Sequence, residues 1–118
     1  FNLMVVSPGV PLSLDLVQRG REIGVEIIGE IELAWRLGGG KYVAITGTNG
    51  KTTTTVLTGE LFRQAGRRTR VVGNVGVAAV KKAVAADEDT WLVTEISSFQ
   101  LETTRDFHPC ISALLNII

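Results

Sequence analysis

The feature that most constrains this chain is a strand that turns through two glycines directly into a helix: Tyr42-Val43-Ala44-Ile45-Thr46-Gly47-Thr48-Asn49-Gly50-Lys51-Thr52-Thr53. On both sides of it, apolar runs bounded by turn residues alternate with segments of helical period. That is the pattern of βαβ units around a parallel sheet. The expected fold class is therefore α/β, a mostly parallel sheet with βαβ units of the P-loop, mononucleotide-binding type.

The strand–glycine–helix layout suits phosphate. Glycines let the backbone curl with its N–H groups pointing inward, the first helical turn adds unpaired donors and partial positive charge, and a lysine can reach terminal phosphates. Gly47, Thr48, Asn49, Gly50, Lys51, Thr52 and Thr53 are accordingly the candidate nucleotide-binding residues. The Thr52 hydroxyl is a candidate Mg²⁺ ligand. In the widespread P-loop pattern the first glycine stands five positions before the second, but Ile45 occupies that place and the glycine is Gly47. The shorter Gly-x-x-Gly-Lys-Thr loop argues against an ordinary GTPase or small-molecule kinase and for a narrower set of ATP users. A plain glycine turn with Lys51 on a solvated face is the bland alternative. It leaves unexplained the run Thr52–Thr55, since β-branched hydroxyl residues are indifferent helix formers.

Along the rest of the chain, strands are expected at Leu3–Val6, Val25–Ile28, Lys41–Thr46, Thr69–Gly73, Trp91–Ile96 and Ile111–Ile117. Helices are expected at Leu12–Ile23, Glu30–Leu37, Lys51–Ala65 and Val77–Ala86, with a short helical or irregular piece around Phe99–Thr104. Gly24 and Gly66 stand where helices should end, and Gly38-Gly39-Gly40 reads as a flexible run. A domain boundary is expected between Ile28 and Gly40. Leu3–Val6 and Ile111–Ile118 read as buried strands lying almost at the two ends, as in a piece of a longer chain. A compact domain with both terminal strands docked is the alternative.

Twelve basic and twelve acidic residues leave no net charge, so no overall field draws the chain to nucleic acid or an anionic membrane. Anion binding has to come from a local site. One cysteine, Cys110, and no apolar run of spanning length fit a reducing, cytoplasmic setting. Cys110 is expected to be a small buried hydrophobe and His108 a surface or turn residue. Gly66-Arg67-Arg68-Thr69-Arg70 should be a solvated cationic turn, and Trp35 and Trp91 core or domain-contact residues.

Glu95 ends the Trp91-Leu92-Val93-Thr94 strand, where open parallel sheets place ligands. A hard divalent ion accepts carboxylate and hydroxyl oxygens, so Glu95 and Thr52 form a suitable metal pair. A strand-end glutamate facing water is the competing reading. Asn74 reads as a turn residue tolerant of a left-handed backbone, and Ser97 and Ser98 as caps of the segment that follows.

Gly47-Thr48-Asn49-Gly50-Lys51-Thr52-Thr53 resembles the ATP loop shared by the Mur ligases, folylpolyglutamate synthases and cyanophycin synthetases. Gly73-Asn74-Val75-Gly76 and Glu95-Ile96-Ser97-Ser98-Phe99-Gln100-Leu101-Glu102 narrow the likeness to the Mur ligases, within them to the branch that adds D-glutamate to UDP-N-acetylmuramoyl-L-alanine. Ser7-Pro8-Gly9 and Gly29-Glu30-Ile31-Glu32 are similar to that branch too.

The resemblance implies an ATP- and Mg²⁺-dependent amide ligase of peptidoglycan biosynthesis that works through an acyl phosphate, with no nucleic-acid or membrane partner. By the same likeness, Lys51 and Glu95 are catalytic and Lys51 and Thr53 lie at the phosphates. Thr52 and Glu95 hold magnesium, and Ser7, Pro8, Gly9, Asn74, Ser97 and Gln100 bind the UDP-linked substrate. Residues 1–29 would be the C-terminal part of a Rossmann-like UDP-substrate domain and 30–118 the N-terminal part of the central ATP domain. Family members also carry a second metal site on a carbamylated lysine, adenine contacts and an amino-acid-binding domain, so this chain by itself is expected to be inactive. A related folylpolyglutamate or cyanophycin-type ligase, and a non-catalytic nucleotide-binding module, are the alternatives.

Overall fold

The computed structural model describes residues 1–73 and 79–118. Two parallel sheets are present among them. The smaller pairs β1 (Leu3–Val6) with β2 (Glu26–Gly29) across α1 (Asp15–Glu22). The larger has the order β4-β5-β3-β6, formed by β3 (Lys41–Thr46), β4 (Thr69–Val72), β5 (Trp91–Glu95) and β6 (Ile111–Leu114). Its connections run through α3 (Lys51–Gln64), α4 (Ala79–Val84) and α5 (Ser98–Leu101), while α2 (Glu30–Leu37) joins the two sheets. The parallel α/β class expected from the sequence is the class observed.

β3 lies inside the sheet, paired with β5 on one side and β6 on the other. Strands covered on both faces read as continuous apolar runs, not alternating ones, and Tyr42, Val43, Ala44 and Ile45 are all buried. One face carries Tyr42, Ala44, Val72, Leu92 and Ile96 against Ile31 and Ala34 of α2 and Ala79 and Ala83 of α4. The other carries Val43, Ile45 and Val93, packed by Phe62 of α3 and by Trp91. Trp91 meets Phe62 edge-on at 5.0 Å, and Trp35 packs on the α2/α4 side, which places both tryptophans in or beside the core.

Four expectations change. The Leu3–Val6 strand is buried only at Val6, with Leu3 and Val5 exposed, because among the described residues its sheet has just two strands. Strand β6 is an exposed edge instead of a core strand, pairs among the described residues only with β3, and ends at Leu114. Cys110 is exposed as well, since it precedes that edge. The glycine run is not loose: Gly38 N–H donates to Ala34 at 2.9 Å, Gly39 N–H to Ala83 at 3.3 Å and Lys41 N–H to Thr90 at 2.8 Å, sewing α2 to α4 and to the start of β5. His108 is exposed, as expected.

Element boundaries shift by a residue or several. Helix α1 starts at Asp15, because Pro11 and the turn at Leu12–Leu14 precede it. It and α3 stop before Gly24 and Gly66, both of which have positive φ.

Candidate functional site

The carboxyl ends of β3 and β5 lie side by side, Ile45 against Glu95, and the loop Gly47–Gly50 leaves β3 there to open α3. Gly50 is the residue before the helix and has φ 84°, a left-handed conformation that costs a side-chain-bearing residue about 1 kcal/mol or more. It presents no capping side chain, so the N–H groups of the first helical turn have no side-chain cap.

Glu95 belongs to the face of β5 that looks toward α3, the same parity as Trp91 and Val93. It is 4% exposed. The Thr52 hydroxyl donates to its carboxylate, 3.1 Å from each oxygen. The water-facing reading of Glu95 is therefore excluded. A hydroxyl has one proton and two lone pairs, so Thr52 still offers an oxygen to a cation while bonded to Glu95. Gly73, at the end of β4 with φ 105°, packs so closely on Glu95 that a Cβ there would overlap its carbonyl oxygen.

Lys51 reaches back over the loop: Nζ donates to Gly47 O at 2.7 Å and lies 3.4 Å from Thr48 O. Thr55, buried in α3, bonds Lys51 O at 2.6 Å. Thr52 and Thr53 are exposed at the mouth of the loop.

Ser97 and Gln100 form a reciprocal capping box on α5: Gln100 N–H donates to Ser97 Oγ at 3.2 Å and Ser97 N–H to Gln100 Oε1 at 2.9 Å. Their structural role is thus established. Gln100 also lines a cleft of about 460 Å³ together with Ser7, Pro8, Gly9, Glu30 and Phe99, so four of the expected substrate residues meet at one opening. Ser7 Oγ donates to Glu30 at 3.2 Å across it. Asn74 lies outside the described residues.

Two residues assigned no individual role from the sequence hold this region together. Asn116, just beyond β6, accepts the N–H groups of Thr48 and Asn49 on Oδ1 at 3.0 and 2.9 Å, and donates from Nδ2 to Asn49 O at 2.9 Å. Glu32 of α2 is fully buried and its Oε1 accepts the N–H groups of Arg105, Asp106 and Phe107 at 2.7–3.0 Å. Its Oε2 pairs with Arg36 at 2.8 Å. Burial pushes the Glu32 carboxyl upward, but the three amides and Arg36 outweigh it and hold it below the usual carboxylate range. The signal for Asn116 was one amide interrupting Leu114-Leu115-Asn116-Ile117-Ile118; for Glu32 it was the i,i+4 spacing to Arg36 on a helix with Ile31 and Ala34.

A parallel sheet whose inner strand runs through a glycine loop into a helix, with a lysine opening that helix and a buried carboxylate on the adjacent strand, defines the P-loop-like class of α/β proteins. Residues 45–117 match the model of the Mur ligase middle domain, and the chain belongs to the Mur ligase family. It is 60% identical over 116 residues to the UDP-N-acetylmuramoylalanine–D-glutamate ligase of Alkaliphilus oremlandii and 57% identical over 116 residues to that of Alkaliphilus metalliredigens. Its identity to the ligase of the same name from Clostridioides difficile is 50% over 117 residues. Each alignment covers 98% of this chain and 26% of the relative, so the chain spans about a quarter of their length.

Proposed function

We propose that this chain supplies the ATP phosphate loop, one magnesium site and part of the UDP-substrate cleft of a cytoplasmic ligase that joins D-glutamate to UDP-N-acetylmuramoyl-L-alanine in peptidoglycan synthesis. The names of the relatives support the substrates. The observation that carries the reading is the Thr52–Glu95 pair beneath the loop: a carboxylate 4% exposed whose hydrogen-bond partner among the described residues is a neutral hydroxyl, where buried carboxylates normally meet a charge. A divalent cation held by Glu95 and Thr52 would supply it.

The donor set fits magnesium, which favours hard oxygens and is commonly held by one or two protein groups together with phosphate oxygens and water. Bound there, the ion would neutralise charge on the phosphates of ATP.

The residues of the chain then have separate tasks. Amides at the start of α3 and the Lys51 ammonium stabilise the γ-phosphoryl group as the substrate carboxylate displaces ADP from it. The product of that step is an acyl phosphate. The amine of D-glutamate attacks its carbonyl carbon, inorganic phosphate leaves and the amide remains. Ser7, Pro8, Gly9 and Gln100 orient the UDP-linked substrate along the cleft, and Asn74 is proposed to join them. The proposed division into a UDP-substrate domain at 1–29 and an ATP domain from 30 corresponds to the passage from β2 to α2.

The test is replacement of the matching 116 residues of the Alkaliphilus oremlandii ligase by this chain. Phosphate release dependent on both D-glutamate and UDP-N-acetylmuramoyl-L-alanine is expected, falling by about 10²–10³ in Lys51→Ala. The 118-residue chain alone should release none. A folded hybrid that is inactive, or that accepts a different amino acid in preference, overturns the proposal.

A further inference from the structure

We infer that Asn116 is a positioning residue that holds the phosphate loop in one conformation and divides its donors into those that anchor the loop and those that bind phosphate; this rests on the reading of Gly47–Thr53 as a phosphate site. Five bonds converge on two loop residues. Besides the three side-chain bonds, Thr48 N–H lies 3.2 Å from the backbone oxygen of Asn116, and Ile118 N–H donates to Thr48 Oγ1 at 3.2 Å. Leu115 N–H to Thr46 O at 3.0 Å continues the β3–β6 ladder up to this point.

The consequence is a change in which atoms face the ligand. An N–H donates one strong hydrogen bond, so the amides of Thr48 and Asn49 are committed to Asn116 and are not phosphate donors. The donors left for phosphate are the amides from Gly50 into the first turn of α3, together with Lys51 Nζ. A glycine loop with both middle amides unanchored would sample many conformers, and binding would have to order it at the expense of affinity. Asn116 removes that cost before the ligand arrives. An amide side chain suits the task because one end accepts two N–H groups while the other donates to Asn49 O, a combination that a carboxylate lacks.

The experiment measures amide hydrogen exchange and inorganic tripolyphosphate binding, with Mg²⁺, for the chain, Asn116→Ala, Asn116→Asp and Lys51→Ala. In Asn116→Ala the Thr48 and Asn49 amides should exchange at least about tenfold faster and tripolyphosphate should bind about tenfold more weakly, while Leu92 and Val93 keep their protection. Asn116→Asp retains the acceptor and should keep most of the protection at Thr48 and Asn49, a rescue that a loss of global stability would not produce. Equal acceleration at Leu92 and Val93 in Asn116→Ala, or tripolyphosphate affinity unchanged by the alanine, overturns the inference alone. Absence of binding by the unsubstituted chain overturns the phosphate-site reading and the inference with it. A loss in Lys51→Ala without any in Asn116→Ala upholds the site and rejects the role of Asn116.

Discussion

Glu95 and Tyr42 are buried polar residues of neighbouring strands with opposite fates. Tyr42 packs edge-on to Phe107 at 5.3 Å, its hydroxyl has no hydrogen-bond partner among the described residues, and burial pushes the phenol up to about 12. A buried hydroxyl without a partner costs stability, so Tyr42→Phe should be neutral or stabilising by up to about 1 kcal/mol in urea unfolding. A clear loss would show that the hydroxyl is satisfied after all. Glu95, by contrast, is bonded to the Thr52 hydroxyl and is the residue proposed above to share a cation. Glu95→Gln keeps its size and a polar contact with Thr52 but removes the charge. It should leave the fold intact and reduce Mg²⁺-dependent ATP affinity at least about tenfold, since even groups one shell removed from a metal commonly matter that much. Calorimetric titrations with and without Mg²⁺ check this, and an unchanged Mg²⁺ effect counts against the metal site. Glu95 was legible in the sequence because it ends an apolar run. Asn116 stood out only as an amide in an apolar run, and its role was not legible because its partners stand 67 and 68 positions away.

At the scale of elements, the loop between α5 and β6 is held from outside by α2. Glu32 takes three consecutive N–H groups of that loop, and Gly29 N–H donates to Thr103 O at 3.2 Å beside it. Arg36 adds pairs to Glu32 and Glu26. Glu32→Ala strips these amides and Arg36 of their acceptor, and a loss on the order of 3 kcal/mol is expected. Chemical denaturation followed by Trp35 fluorescence measures it, and a change under about 1 kcal/mol would mean that water replaces the carboxylate without penalty. Because the folded state holds Glu32 below its ordinary value, its contribution is complete above the usual carboxylate range. It is lost as pH falls through the lowered value, so stability should decline on acidification and the decline should be shallower in Glu32→Ala. The helices and strands themselves were legible from periodicity and glycine punctuation. Their ends were less so: β6 stops at Leu114 where the apolar run continues, because pairing with β3 ends as β3 enters its loop.

For the molecule as a whole, the sheet order β4-β5-β3-β6 carries the chain first to one side of β3 and then across to the other, so β3 opens at a crevice at its carboxyl end. Ligands of open α/β sheets sit at such a reversal. There the loop, Lys51, Thr52 and Glu95 come together, with Asn116 arriving on the last strand. The cleft of Ser7, Pro8, Gly9 and Gln100 lies between the smaller sheet and α5, and α2 is the element that touches both sheets. Parallel topology was expected from alternating periods, whereas the strand order, which makes Glu95 a neighbour of the loop, depends on packing on both faces of β3. The most direct test of the phosphate site is a titration of Mg²⁺–ATP into the chain and into Lys51→Ala, followed by the amide chemical shifts of residues 47–53. Saturable shifts centred on Gly50, Lys51 and Thr52 and abolished in Lys51→Ala are the expected result; shifts that are absent, or that persist unchanged without the lysine, would contradict it.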